Sequence, residues 1–355
     1  MPLRRGEVWG VGKVRVLVVD DSSFMARVIA RLLESHPSIE VVAIARNGRE
    51  AVELVPELRP DVITLDLEMP VMNGREALRF IMAHFPTPVV VVSTLTQAEA
   101  EETIACLEEG AVDCVGKPRR GSLGEQRTEL IGKVLLAAAA RPRVNRRLAT
   151  MPLRSQVYRR RGAVALGAST GGPKNVLDVI PLLPADLPAP VFYVQHMPAS
   201  FTRLYAQRLD QLSALRVKEA EMGEEALPGV VYIAPGDRHL LVVVRRGRTR
   251  PTLRLSQYPS DALFRPSVDV LMKSVAEVYG RDCVGVLMTG MGRDGALGMK
   301  AIHDRGGYTI AESEETCVVF GMPAVAVQLG VVDVVAPSTD VSYQVLRWFT
   351  RAAGT

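Results

Sequence analysis

Short apolar, β-branched runs alternate with amphipathic stretches along two separate parts of the chain, and no other feature limits the fold as tightly. Residues 14–120 hold the runs Val14–Val19, Val41–Ala45, Val62–Leu65, Val89–Val92 and Val112–Val115. Helical patterns separate them: Phe24–Leu33, Ala51–Leu58, Ala77–Phe85 and Ala98–Leu107. Strands that alternate with helices form a parallel sheet covered on both faces. The spacing therefore predicts a five-stranded, doubly wound α/β domain over 14–122, with a terminal helix to about 140.

A second alternation runs from Ala163 to about Thr350, with strand candidates Ala163–Leu166, Val191–Val194, Val231–Ala234, Leu240–Val244, Val284–Met288 and Val331–Val335. It predicts another doubly wound, mostly parallel α/β domain over 161–352. Between the two lie Arg141-Pro142-Arg143 and Arg159-Arg160-Arg161, so 141–160 reads as a basic, poorly ordered linker. A chain of 355 residues fits two domains of ordinary size.

Composition excludes several classes. The net charge of +4 is too small to argue for nucleic acid, and no recognition helix is evident. The four cysteines, Cys106, Cys114, Cys283 and Cys317, form no C-x-x-C pair, which speaks against a zinc ribbon or redox dithiol. Residues 1–13 lack the apolar core of a signal peptide, and no run reaches the roughly 18 apolar residues of a membrane span. A soluble, cytoplasmic protein is expected.

Carboxylates mark one edge of the first domain. Asp20 and Asp21 end the first strand and Asp66 ends the third, and in a parallel sheet these ends are neighbours on the ligand-binding edge. Crowded carboxylates call for a cation, and hard oxygen ligands suit Mg²⁺. Ser93 ends the fourth strand and Lys117 follows the fifth, so a hydroxyl and an ammonium share that edge and are placed to hold a phosphoryl group on Asp66. Singly these residues read as caps and turn residues. Together, at these strand ends, they read as a site.

The stretches VLVVDDS, VITLDLEMP, VVVVST and VGKP resemble the receiver domain of two-component response regulators. The resemblance implies a flavodoxin-like fold and a phosphoryl group passed from the phosphohistidine of a histidine kinase to Asp66. It further implies Mg²⁺ held by Asp20, Asp21, Asp66 and the backbone carbonyl of Glu68, with Ser93 and Lys117 on the phosphoryl oxygens. Cys114 stands where that family usually carries an aromatic switch residue.

In the second domain, Gly167-Ala168-Ser169-Thr170-Gly171 places a serine between glycines where a strand turns into a helix, the pattern of a nucleophile elbow. That helix is expected to aim its N–H groups at developing negative charge. A phosphate-loop reading fails because Gly172 is followed by Pro173-Lys174-Asn175. A serine needs a base. Of the five histidines, only His196 sits at the end of the next strand; His303 lies in a predicted helix. Asp294, after another apolar strand and a glycine-rich turn, is the candidate orienting carboxylate. The order Ser169, His196, Asp294 differs from the serine–acid–histidine order of α/β-hydrolases.

The stretches GASTGGP, QHMP, YIAPGDRHL, FRPSVDVL, LMTGMGRDGA and FGMPAVAV resemble the catalytic domain of the chemotaxis protein-glutamate methylesterases, the CheB family. The resemblance implies hydrolysis of glutamate methyl esters, and deamidation of certain glutamines, on chemoreceptor cytoplasmic domains. Ser169 is then the nucleophile, His196 the base and Asp294 its orienter. Thr170 helps position His196, the Met291 N–H serves the oxyanion, and Arg265, Ser267 and Asp269 stay at the rim. No cofactor is expected in this domain, and a monomer is expected. The receiver would limit receptor access until it is phosphorylated. A DNA-binding regulator and a scaffold with a disabled triad are the rival readings. The first lacks a reading head, and the second is opposed by three occupied triad positions.

Overall fold

The computed structural model describes residues 12–94, 96–118, 123–140, 157–245, 247 and 249–351. The chain divides into two compact units between residues 145 and 146. Both of the expected α/β layers are present.

The first unit carries a five-stranded parallel sheet of β1 (Val14–Val19), β2 (Ile39–Ala45), β3 (Val62–Leu65), β4 (Val89–Ser93) and β5 (Asp113–Gly116), in the order β2-β1-β3-β4-β5. Its helices are α1 (Ser23–Glu34), α2 (Gly48–Leu58), α3 (Gly74–His84), α4 (Gln97–Glu109) and α5 (Leu123–Ala139). Every residue of β3 and β4 is buried, as expected of central strands covered on both faces. The helix starts are chemically specified. Ser22, Asn47 and Thr96 accept N-terminal N–H groups, and Asn73 with Glu76 forms a reciprocal capping box. The order reverses between β1 and β3, so a crevice opens at their carboxyl ends.

The second unit has seven parallel strands: β6 (Ala163–Ala168), β7 (Val191–Gln195), β8 (Arg216–Glu219), β9 (Val230–Ile233), β12 (Cys283–Leu287), β13 (Tyr308–Glu312) and β14 (Val334–Ala336). Their order is β14-β13-β12-β6-β7-β9-β8. The winding reverses at β6, which puts the crevice beside the carboxyl ends of β6, β7 and β12. Two further strands, β10 (His239–Val243) and β11 (Thr252–Ser256), lie outside this sheet as an antiparallel ribbon. The helices are α6 (Gly172–Asn175), α7 (Ala199–Leu212), α8 (Val268–Tyr279), α9 (Ala296–Asp304), α10 (Met322–Gln328) and α11 (Ser338–Thr350).

One expectation fails here. The helix after Ser169 is only the four residues of α6, followed by 3-10 turns at Val176–Asp178 and Ile180–Leu182. Pro181 has no N–H to continue a helical ladder, and so short a segment has little dipole to offer an oxyanion.

Most of the basic linker lies outside the described residues. Its end does not: the Arg159 and Arg160 N–H groups donate to the Phe349 carbonyl, and the Arg160 guanidinium sits 5.0 Å over the Trp348 ring. Arg159 and Arg160 are thus pinned to α11. Among the described residues no helix is long and apolar enough to cross a membrane.

Candidate functional site

The crevice of the first unit gathers the expected groups. Asp20 and Asp66 are buried and Asp21 is exposed, and one carboxylate oxygen from each lies within 4.8 Å of the others. Lys117 Nζ donates to Asp66 Oδ2 at 2.6 Å and stands 3.6 Å from Asp20 Oδ2. The remaining Asp66 oxygen accepts the Leu67 N–H at 2.8 Å. Burial pushes the Asp66 carboxyl up to about 6 against the pull of Lys117, and burial likewise raises Asp20. Asp20 Oδ2 is buried without a hydrogen bond. A hard divalent cation fits this donor set, because it would satisfy that orphan oxygen and offset the charge repulsion. Glu68 lies two residues beyond Asp66 on the same loop.

Ser93 reaches this edge, but its hydroxyl donates to Glu99 Oε2 at 2.8 Å. The same carboxylate accepts the N–H of Thr94 at 2.6 Å and also its hydroxyl. Glu99 is therefore a partner of the Ser93 position that strand-end reasoning did not reveal. Cys114 is buried on β5 beneath α5, and its carbonyl accepts from Lys133.

In the second unit the sheet register joins serine and histidine. Ala168 pairs with Gln195, and the His196 N–H donates to the Ala168 carbonyl at 3.1 Å, so Ser169 and His196 are the next residues on adjacent strands. Strands stand about 4.8 Å apart. The Ser169 N–H donates to the Thr289 carbonyl at 2.9 Å, which ties the serine to the loop after β12. Gly290 sits directly behind: a Cβ there would lie 2.7 Å from Ser169 Cβ. Met291 follows in that turn, half exposed beside the serine. Thr170 is buried, and its carbonyl accepts from Thr289 Oγ1 at 3.0 Å.

His196 Nε2 donates to Asp294 Oδ2 at 2.8 Å, and His196 Nδ1 is buried without a hydrogen bond. Asp294 accepts three more bonds at the start of α8: from Ser267 Oγ at 2.8 Å, the Val268 N–H at 2.7 Å and the Asp269 N–H at 3.0 Å. Burial opposes its ionisation, yet the His196 bond and these donors hold its carboxyl below the ordinary range. Ser267 and Asp269 are thus direct supports of the acid, not rim residues. Asp269 Oδ1 also accepts the Gly298 N–H at 2.7 Å, which docks α9 against α8. Arg265 contributes its carbonyl to the Asp237 N–H and a guanidinium bond to the Ser260 carbonyl.

Phe264 stacks on the His196 ring, with centroids 4.2 Å apart and planes 16° from parallel. Neither this contact nor the Ser267 bond was readable from spacing, because both cross long sequence gaps. The segment FRPSVD thus covers the histidine face with its first residue and holds the aspartate with its last three. His303, at the exposed end of α9, lies 4.0 Å from its neighbour Asp304 and has no place in this arrangement.

The geometry places a serine on the strand next to an imidazole whose Nε2 is anchored to a buried carboxylate. Residues 164–345 match the family model described as CheB methylesterase, and residues 16–126 match the response regulator receiver domain. The protein-glutamate methylesterase/protein-glutamine glutaminase of Pyrococcus abyssi is 46% identical over 345 residues, 94% of this chain and 93% of its own. The protein of the same name from Symbiobacterium thermophilum is 47% identical over 362 residues, 96% of this chain and 97% of its own. The crystal structure of the Thermotoga maritima CheB methylesterase catalytic domain is 43% identical, with a TM-score of 0.51, covering 53% of this chain and 98% of that one. The chain belongs to the CheB methylesterase family, with a response regulator receiver domain ahead of its esterase domain.

Proposed function

We propose that this protein hydrolyses glutamate methyl esters on chemoreceptor cytoplasmic domains through Ser169, His196 and Asp294, under control of phosphorylation at Asp66. The observation that carries the chemistry is the 2.8 Å bond from His196 Nε2 to Asp294, in an imidazole whose other nitrogen is unpartnered one strand away from Ser169.

In this mechanism Ser169 Oγ attacks the ester carbonyl and its proton passes to His196 Nδ1. Asp294 stabilises the resulting imidazolium through Nε2–H. The oxyanion lies towards the turn carrying Met291, whose N–H donates to it; such donors contribute about 3–4 kcal/mol. The proton on Nδ1 goes to the leaving methoxide, methanol departs and an acyl-enzyme remains. Water then attacks the acyl carbon and gives a proton to Nδ1; as the acyl C–O bond breaks, Nδ1 returns that proton to Ser169 Oγ, which frees the receptor glutamate side chain and restores the serine hydroxyl and the neutral imidazole. A glutamine side chain follows the same course with ammonia leaving. Ser169 Oγ and Nδ1 are not yet hydrogen-bonded here, and such contacts commonly tighten only with substrate in place.

In the receiver, Asp66 accepts the phosphoryl group from a kinase phosphohistidine. Asp20, Asp21, Asp66 and the Glu68 carbonyl would hold Mg²⁺, which supplies charge neutralisation for that transfer. Lys117 stays with the phosphoryl oxygens, and Ser93 exchanges Glu99 for one of them. The test is methanol release from methylated receptors. Wild type releases methanol and is stimulated by a phosphodonor, Asp66→Ala loses only the stimulation, and Ser169→Ala loses the release. Methanol release retained by Ser169→Ala overturns the reading.

A further inference from the structure

We infer that Gln195 is a positioning residue that fixes the nucleophile and the base relative to one another, a reading that rests on the roles proposed for Ser169 and His196. The last main-chain bond between β6 and β7 is the one from the His196 N–H to the Ala168 carbonyl. Past that point the strands part to form the crevice. The Gln195 side chain carries the connection onward. Its Nε2 donates to the Ser169 carbonyl at 2.8 Å and to the His196 carbonyl at 3.2 Å. One amide thereby holds the main chain of both residues.

The amide has no freedom to turn over. Its oxygen accepts the Tyr193 hydroxyl at 2.7 Å, and Tyr193 is wholly buried on the same strand. Burial pushes the Tyr193 phenol well above its ordinary range, so it remains a donor. Tyr205 closes the group: its hydroxyl stands 3.4 Å from that of Tyr193 and donates to the Pro173 carbonyl in the turn after Ser169. Gly172 gives the amide room, because a Cβ there would lie 2.3 Å from Gln195 Oε1. Gln195 itself is 2% exposed. It lies under the reacting groups and does not meet the substrate, so its loss should change turnover and leave substrate binding alone. A displacement of about 1 Å at a catalytic group can cost about 10²-fold.

The experiment uses the full-length protein with methylated receptor and measures kcat and KM for methanol release, with thermal unfolding followed in parallel. Gln195→Met keeps the length and removes both donors. Tyr193→Phe keeps the donors and removes the lock on the amide. The expected results are a kcat loss of about 10²-fold for Gln195→Met and a loss of several-fold for Tyr193→Phe, each with KM within twofold. Should Gln195→Met fail to fold, Tyr193→Phe decides by the same split. A kcat within twofold of wild type in the folded variant, or a loss expressed wholly in KM, overturns the inference. Ser169→Ala in the same assay separates the two levels. If it is inactive while Gln195→Met behaves as wild type, only the role of Gln195 falls; if it is active, the triad reading falls first.

Discussion

Asp294→Asn gives the sharpest quantitative expectation. Asp294 Oδ2 faces His196 Nε2 and the Val268 N–H, while Oδ1 faces Ser267 Oγ and the Asp269 N–H. An asparagine has one oxygen and one NH₂ group, so its amide nitrogen must meet two donors either way. A hydroxyl can rotate and accept, but a main-chain N–H cannot. The amide nitrogen therefore takes the Oδ1 side, Ser267 turns to accept from it, and only the Asp269 N–H loses its acceptor. Such a loss costs about 1–3 kcal/mol of stability. His196 keeps its Nε2–H bond, and Nδ1 remains the base. What disappears is the negative charge opposite the imidazolium. Two unit charges about 4 Å apart at an effective dielectric of about 20 attract by about 4 kcal/mol. A neutral hydrogen bond retains part of that, so kcat should fall by about 10²–10³-fold. The assay is steady-state methanol release at saturating methylated receptor, with folding checked by circular dichroism. A loss under tenfold refutes the counter-charge role. A loss beyond about 10⁴-fold refutes the retained tautomer, since that is the size seen when an imidazole is held the wrong way round.

Three further outcomes follow. Phe264→Leu removes the ring stacked on His196 and should lower kcat by about 2–30-fold, matching the 0.5–2 kcal/mol of an aromatic contact to a developing cation. Gly290→Ala places a Cβ 2.7 Å from that of Ser169 and 2.3 Å from Met322 Sδ, so esterase activity should collapse while phosphorylation of Asp66, read by phosphate-affinity electrophoresis, proceeds normally. Asp66→Asn should stabilise the receiver at pH 7.5 by at most about 3 kcal/mol in thermal or urea unfolding without Mg²⁺. The sign comes from the raised carboxyl. Folded Asp66 keeps its proton up to about pH 6, whereas the unfolded side chain loses it near 3.8, so stability falls as pH rises between those values. The advantage of the variant should vanish below about pH 4, and an advantage that persists there contradicts the assignment.

The fold was legible because its signal is local. β1 and β3 begin and end where the apolar runs do, and β6 and β7 overrun theirs by only one or two residues. Three strands were missed. β8, with the sequence RVKE, is a charged edge strand with little apolar pattern. β11 lies outside the main sheet, in a ribbon whose pattern follows its own pairing with β10. β13 is a short YTIAE run directly after Gly306-Gly307. The helix expected after Ser169 stops after the four residues of α6 and passes into 3-10 turns, a change of winding that apolar spacing does not encode.

The site was legible as far as strand ends define it. Ser169, His196, Asp20 and Asp66 sit where a parallel sheet presents its ligand-binding edge. The supports of those residues were not legible. Asp294 takes its donors from Ser267, Val268 and Asp269, more than twenty residues away, and Phe264 meets His196 across a still longer gap. Only the docking of α8 and its preceding loop onto the crevice creates those contacts, and no local periodicity encodes that docking. Glu99 is a nearer case. It stands six residues after Ser93, but the turn that folds it back onto the strand end is set by the loop, not by the pattern.

The central claim is that Ser169 carries the acyl group. Acid quenching of the full-length protein during turnover of methylated receptor, followed by proteolysis and peptide mass mapping, tests it directly. The account predicts a receptor glutamyl adduct confined to the peptide containing Ser169, absent when Ser169 is replaced by Ala. Turnover with no adduct at any quench time, or with an adduct on another residue, would contradict it.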